Sequence, residues 1–167
     1  HEGHISFVTA NFVAKAVGYN LNPDWLKGDW WKGDKATRDL FRSDAFEYEF
    51  ESMIRVISDI GFKTIELWTT HLNYLDSEEK VRKAKRILEE NEISVCSYAG
   101  GFGGSEDEIE RSFQLANALG AKVLAGGLEG RLFSKAYEFC QKYGIRFAFE
   151  NHPGIETPEK VLTMIDK

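Results

Sequence analysis

The sequence predicts an α/β fold in which parallel strands alternate with outer helices, laid out as about five βα units of a (β/α) barrel. Three observations lead there. An amphipathic helix, a Gly or Asn, and a short apolar run recur in that order four times. The runs begin near residues 64, 93, 122 and 146, a spacing of 29, 29 and 24 residues. The first strand-like run, Ile5 to Ala10, is followed by Asn11 and not by the G-x-G-x-x-G turn of a dinucleotide fold, which favours a barrel over an open doubly wound sheet.

The elements follow in chain order. Phe46, Phe50, Met53, Ile54, Ile57 and Ile60 share one helical face, Gly61 ends that helix, and Thr64 to Trp68 read as a strand. Val81, Ala84, Ile87 and Leu88 make the next face, with Asn91 in the glycine's place before Ile93 to Ala99. Ile109, Phe113, Ala116 and Leu119 precede Gly120 and a strand from Lys122 to Ala125. Leu132, Ala136, Phe139, Cys140 and Tyr143 precede Gly144 and a strand from Arg146 to Glu150. Gly and Asn suit these positions because they accept the left-handed conformation that ends a helix. Asp76 with Glu79, and Ser105 with Glu108, have capping-box spacing, and Thr157-Pro158 opens a last helix through Ile165. Right-handed connection of these units gives a parallel sheet.

The chain has 167 residues, enough for one domain, whereas a closed (β/α)8 TIM barrel needs eight strands and about 250. Residues 1–167 are therefore expected to form a single incomplete domain, the N-terminal five units of a partial TIM barrel, whose first and last strands are open edges. Residues 11–45 read as a loop or lid inserted after the first strand, with Trp25, Trp30 and Trp31 set among Lys27, Asp29, Lys32 and Asp34. Tryptophan faces suit sugar C–H surfaces; packing on the barrel mouth or on a partner subunit suits them equally.

Composition narrows the function. The net charge is −6, which argues against a nucleic-acid partner, and no apolar run is long enough for a membrane span. Two cysteines, Cys96 and Cys140, do not make a disulfide framework and read as reduced, buried thiols, which predicts a cytoplasmic protein. Gly100-Gly101-Phe102-Gly103-Gly104 lacks the Walker lysine, and Glu106, Asp107 and Glu108 beyond it would repel phosphate, so it reads as a flexible rim loop. Gly126-Gly127 with Arg131 is a weak anion-site signal. His1-Glu2-Gly3-His4 is one residue short of the zinc-protease motif.

The strongest chemical signal is Arg146-Phe147-Ala148-Phe149-Glu150-Asn151-His152-Pro153-Gly154. Strand alternation sends Phe147 and Phe149 toward the helices and Arg146, Ala148 and Glu150 toward the barrel axis. Glu150 then sits at the C-terminal rim, where barrel enzymes place their chemistry. Glu150, Asn151 and His152 in succession offer hard and borderline metal ligands. A simple rim salt bridge for Glu150 and a solvent-facing His152 are the bland alternatives.

With Phe149-Glu150-Asn151-His152-Pro153-Gly154, Gly61-Phe62-Lys63-Thr64-Ile65-Glu66-Leu67-Trp68 and Leu119-Gly120-Ala121-Lys122-Val123, the chain from about Phe46 onward resembles the xylose isomerase-like TIM barrels, which include sugar-phosphate isomerases and epimerases and the metal-dependent abasic-site endonucleases. The resemblance implies that Glu150 is a ligand of a divalent metal (Mn2+, Mg2+, Co2+ or Zn2+) and serves in proton transfer. It implies that the other ligands, an Asp or His and a second Glu, come from strands beyond the fifth, so that this partial chain is inactive alone. His71, in Thr69-Thr70-His71-Leu72, matches a His often found after the second strand, with contact to metal or substrate oxygen; an exposed loop His is the alternative. Trp68 and Trp30 are candidates to stack on a sugar, His152 and His71 to orient it, and Glu66 and Asn151 to serve as structural supports. The expected reaction is isomerisation or epimerisation of a sugar or sugar phosphate through an enediolate. An endonuclease-like metal hydrolase and a non-catalytic carbohydrate-binding or assembly protein stand as alternatives. A homo-oligomer, or pairing through the open strand edges, is the expected assembly.

Overall fold

A computed structural model of the chain describes residues 5–22, 28–150 and 157–165. Strand β1 (Phe7–Val8) leads through 3-10 turns at Thr9–Phe12 and Lys15–Val17 to helices α1 (Trp30–Arg42) and α2 (Phe46–Asp59). There follow β2 (Thr64–Trp68), α3 (Glu78–Glu90), β3 (Ser94–Gly100), α4 (Glu106–Leu119), β4 (Val123–Gly126), α5 (Phe133–Tyr143), β5 (Arg146–Phe149) and α6 (Pro158–Ile165). The strands form one sheet in the order β1-β2-β3-β4-β5, every neighbouring pair parallel. This is the expected partial (β/α) barrel, with β1 and β5 at its two edges.

Alternate residues of each strand face the helices and the would-be barrel axis. Ile65, Leu67, Tyr98 and Leu124 are fully buried under Phe50, Ile54, Ile57, Ile87, Ile109 and Phe113 of the outer helices. The opposite face carries two registered rows. One is Val8, Glu66, Ser97, Val123 and Arg146, and the other is Trp68, Ala99, Ala125 and Ala148. A bulge at Cys96 makes the first row possible: Ile65 pairs Val95, but Glu66 pairs Ser97. The extra residue flips the rest of β3, which turns Ser97 to the axis and Tyr98 into the core. Tyr98 donates its hydroxyl to Leu72 O at 2.8 Å, and burial pushes that hydroxyl's pKa well up.

Several details differ from expectation. The first strand is two residues, not six, because the chain turns into a 3-10 helix at Thr9. Thr9 Oγ1 accepts the Trp68 N–H at 2.9 Å, a bond that a longer β1 would have made with its backbone. The stretch 11–45 is not one loop, since its second half is the 13-residue α1. That helix buries one large apolar side chain, Phe41, and otherwise docks through hydrogen bonds. Thr37 donates to Val13 O at 2.6 Å, and a Cβ on Gly33 would press on that same carbonyl. The cap of α3 is Ser77, which accepts from Lys80 N–H, while Asp76 accepts from Asn73 N–H at 2.7 Å and holds Lys80 at 2.8 Å. The expected capping box at Ser105 and Glu108 is present. Asn91 has φ −101°, and the left-handed residue after α3 is Glu92 at φ 55°. Ile60 is exposed, and Cys96 and Cys140 are half-buried, not buried. No described helix is long and apolar enough to cross a membrane.

Candidate active site at the carboxyl ends of the strands

Glycine lets the rim loops approach one another. A Cβ on Gly126, the last residue of β4, would collide with Gly100 O and Phe102, and one on Gly100, at φ 127°, would collide with the Thr69 hydroxyl. The loops after β2 and β3 are thus held side by side.

Glu150 follows β5 directly. Its N–H donates to Gly126 O at 3.3 Å, which continues the ladder one residue past the strand. Alternation from Arg146 and Ala148 carries its half-buried side chain to the axis side. On the other face Phe147 and Phe149 meet at a tilt and lie edge to face against Phe102 and Phe133 respectively, as their helix-side placement requires. Asn151 and His152 lie outside the described residues, as do Trp25 and His1 to His4.

Trp68 ends β2 on the axis face, beside a row of alanines that leaves its ring room. Trp30, at the start of α1, meets it edge to face with centroids 6.2 Å apart. Two candidates far apart in sequence are thus brought together. Glu66, on the same face one row below, accepts a hydrogen bond from Ser97 Oγ at 2.6 Å.

His71 is not at the open rim. It is fully buried, lies edge-on to Phe41 of α1 at 4.8 Å, and shares a 3.2 Å hydrogen bond between Nδ1 and Thr9 Oγ1. Its Nε2 is buried with no hydrogen-bond partner among the described residues. Burial pushes its pKa down from 6.5 to about 3, so the imidazole is neutral at physiological pH. The helix that covers it is the one the sequence pattern hid.

That helix also makes a cleft of about 320 Å³ with the loops after β2 and β3. Sequence reasoning named Trp30, Asp34 and Trp68 of its lining but missed Arg38 and Arg42 from α1, and Asn73 and Tyr74 from the loop after β2. Asp34 is buried, accepts from Thr70 Oγ1 at 2.5 Å, and pairs with Arg38. The spacing of Asp34, Arg38 and Arg42 at successive helical turns was the available signal.

A divalent ion needs several donors converging on one point. Among the described residues no group of three His, Cys, Asp or Glu side chains does so. Glu150 supplies one hard oxygen donor, and its described neighbours complete no coordination sphere.

Solved structures share this architecture. A xylose isomerase-like TIM barrel protein from Mycobacterium smegmatis, in complex with magnesium, matches 74% of the chain at 16% identity and a TM-score of 0.60. The probable 3-DHS dehydratase AsbF of Bacillus anthracis matches 98% at 15% identity and 0.53. D-psicose 3-epimerase, in the presence of D-fructose, matches 75% at 13% identity and 0.52. The chain spans 54%, 58% and 55% of these three proteins. At such identities the likeness is one of fold. No curated protein sequence matches the chain. A family model does match residues 54–167, from the middle of α2 through β5 and α6: the chain belongs to the xylose isomerase-like TIM barrel family.

Proposed function

We propose that the protein is a sugar or sugar-phosphate isomerase or epimerase in which Glu150 moves a proton at a carbon next to a carbonyl. The observation that carries this reading is the position of Glu150, a half-buried residue directly past the end of β5, which alternation from Arg146 and Ala148 assigns to the axis side. The family includes enzymes of this kind, and D-psicose 3-epimerase shares the fold.

The carboxylate takes the proton from the substrate carbon, and the C–H electron pair becomes the C=C bond of an enediolate. Return of the proton to the neighbouring carbon, with a hydroxyl proton passed between the two enediolate oxygens, completes an isomerisation; protonation of the same carbon on its opposite face, by an acid on that side and not by Glu150, completes an epimerisation. Trp68 and Trp30 present aromatic surface to the sugar's C–H groups. His71 is neutral and buried, so its part is to hold the turn after β2 through Thr9. His152 and Asn151 are proposed to orient substrate and support Glu150. A divalent ion belongs to the proposal as a cofactor of the complete mouth, which five strands only half enclose. Further polypeptide, from the same protein or from a partner paired at the β1 or β5 edge, is proposed to close it.

The test is solvent-hydrogen exchange into a panel of aldoses and ketoses, phosphorylated and free, followed by NMR in D2O with the intact protein. Deuterium is expected at the carbon beside the carbonyl of at least one sugar. Glu150→Gln is expected to slow that exchange by about 10²–10⁴. Tight sugar binding with no exchange would replace the enzyme reading with a carbohydrate-binding one.

A further inference from the structure

The cleft between α1 and the loops after β2 and β3 has a chemical character that Glu150 does not explain. Arg38 and Arg42 stand one helical turn apart on its wall, and Trp30 and Trp68 meet at its side. The nearby acids are already engaged. Asp34 is held by Thr70 and Arg38, and Asp39 pairs with Lys35 at 2.6 Å. Glu108 closes the α4 cap by accepting from the N–H groups of Gly104 and Ser105 and from the Ser105 hydroxyl. Arg38 spends one nitrogen on Asp34 and keeps further donors, since a guanidinium carries five N–H groups. Arg42 forms no ion pair among the described residues.

We infer that this cleft binds the anionic group, phosphate or carboxylate, of a sugar derivative, with Arg42 and the remaining donors of Arg38 as its clamp and the Trp30–Trp68 pair against the sugar body. Arginine forks match the spread of such oxyanions, and a tryptophan face suits the C–H side of a sugar ring. At about 320 Å³ the cleft lies at the small end of ligand pockets, which run from about 300 to 1,000 Å³, and it fits one sugar with its charged group. It opens at the same carboxyl-terminal rim as Glu150, because Trp68 ends the axis-facing row that reaches Ala148 on β5. The inference deepens the isomerase reading by naming its substrate class, yet the clamp lies wholly within α1, β2 and the loops after β2 and β3.

Tryptophan fluorescence of the 167-residue chain, titrated with glucose, glucose 6-phosphate, gluconate and inorganic phosphate at constant ionic strength, tests it directly. At least one anionic sugar is expected to saturate about tenfold below glucose, the effect of one charge-assisted clamp. Arg42→Gln is expected to erase that factor while glucose binding stays the same, and Arg42→Lys to restore part of it. Arg42 is exposed, so unchanged thermal melting of Arg42→Gln shows that the loss is local. Saturation by glucose 6-phosphate alone assigns a phosphate ligand; saturation by gluconate alone assigns a carboxylate. Equal affinity for charged and neutral sugars, or a well-folded Arg42→Gln that binds the anion as tightly as before, overturns the inference. Anion binding without solvent exchange keeps the clamp and removes the isomerase; exchange without anion preference does the reverse.

Discussion

The two faces of the sheet answer to different demands, although they are made of alternate residues of the same strands. Toward the helices, Ile65, Leu67, Tyr98 and Leu124 have no exposed surface, and each packs among aliphatic and aromatic side chains. Toward the axis, the positions one residue away include Glu66, Trp68 and Ser97, polar or half-exposed groups whose partners are hydrogen bonds and ring edges. The first face supplies the stability, and the second carries polar groups that a packed core could not accept without partners. A parallel sheet with a bulge at Cys96 can do both because the side-chain period of two separates them cleanly.

Neighbours on β2 give the sharpest contrast. Leu67→Ala removes a fully buried side chain from a close-packed core and is expected to lower stability by about 2–5 kcal/mol, from the lost transfer energy and the cavity left behind. Glu66→Gln keeps the shape and most of the hydrogen bonding to Ser97 and is expected to change stability by under about 1 kcal/mol. Urea unfolding of the two variants measures both. If they cost the same, the division of labour between the faces is wrong.

A smaller effect comes from His71, which α1 shuts into the core. Folded His71 stays neutral down to about pH 3, whereas the unfolded chain protonates it below 6.5. The unfolded state therefore binds the extra proton between these values, and stability falls as pH falls through that window. The contribution is complete above pH 6.5 and declines by about 1.4 kcal/mol per unit below it, or about 2 kcal/mol by pH 5. Subtracting the profile of His71→Gln, whose amide does not titrate, isolates this slope from the carboxylates. Parallel profiles for the two proteins between pH 6.5 and 5 would show that His71 is reached by solvent.

What could be seen in the sequence divides along the same line. Wherever a buried face is built of Phe, Ile, Leu and Met, the pattern marked it. Strand β2 lies where expected, and β3, β4 and β5 begin or end within one residue of expectation. Helix α1 stayed hidden because the residues it buries, Gly33, Asp34, Thr37 and Phe41, include only one large apolar side chain. Its docking rests on Thr37 to Val13 O and Thr70 to Asp34, long-range hydrogen bonds with no periodic signature. The site followed suit. Strand alternation alone was enough to propose Glu150, whereas Arg38, Arg42 and the burial of His71 depend on α1, whose one signal was the spacing of Asp34, Arg38 and Arg42. Strand β1 was overestimated because Ile5 to Ala10 reads as an apolar run, while the Thr9 hydroxyl takes over the backbone's role beside Trp68.

The finest test concerns the axis face alone. The Cys96 bulge brings Ser97 Oγ to 2.6 Å from Glu66 Oε2, and without that extra residue the serine would face the helices. Ser97→Ala deletes the donor but leaves Glu66 half-exposed, so water can replace the lost bond. The expected cost is about 0.5–1.5 kcal/mol, well below the Leu67→Ala loss on the other face. Ser97→Val fills the same space with an apolar branch and withdraws water from the carboxylate as well, so it is expected to cost more than alanine. A double-mutant cycle of Ser97→Ala with Glu66→Ala, which removes the acceptor that a glutamine would keep, separates these effects: the coupling should approach zero if solvent already satisfies the carboxylate. It should exceed about 1 kcal/mol if the pair is sealed from water, which would move Glu66 from the open mouth into the packed part of the protein.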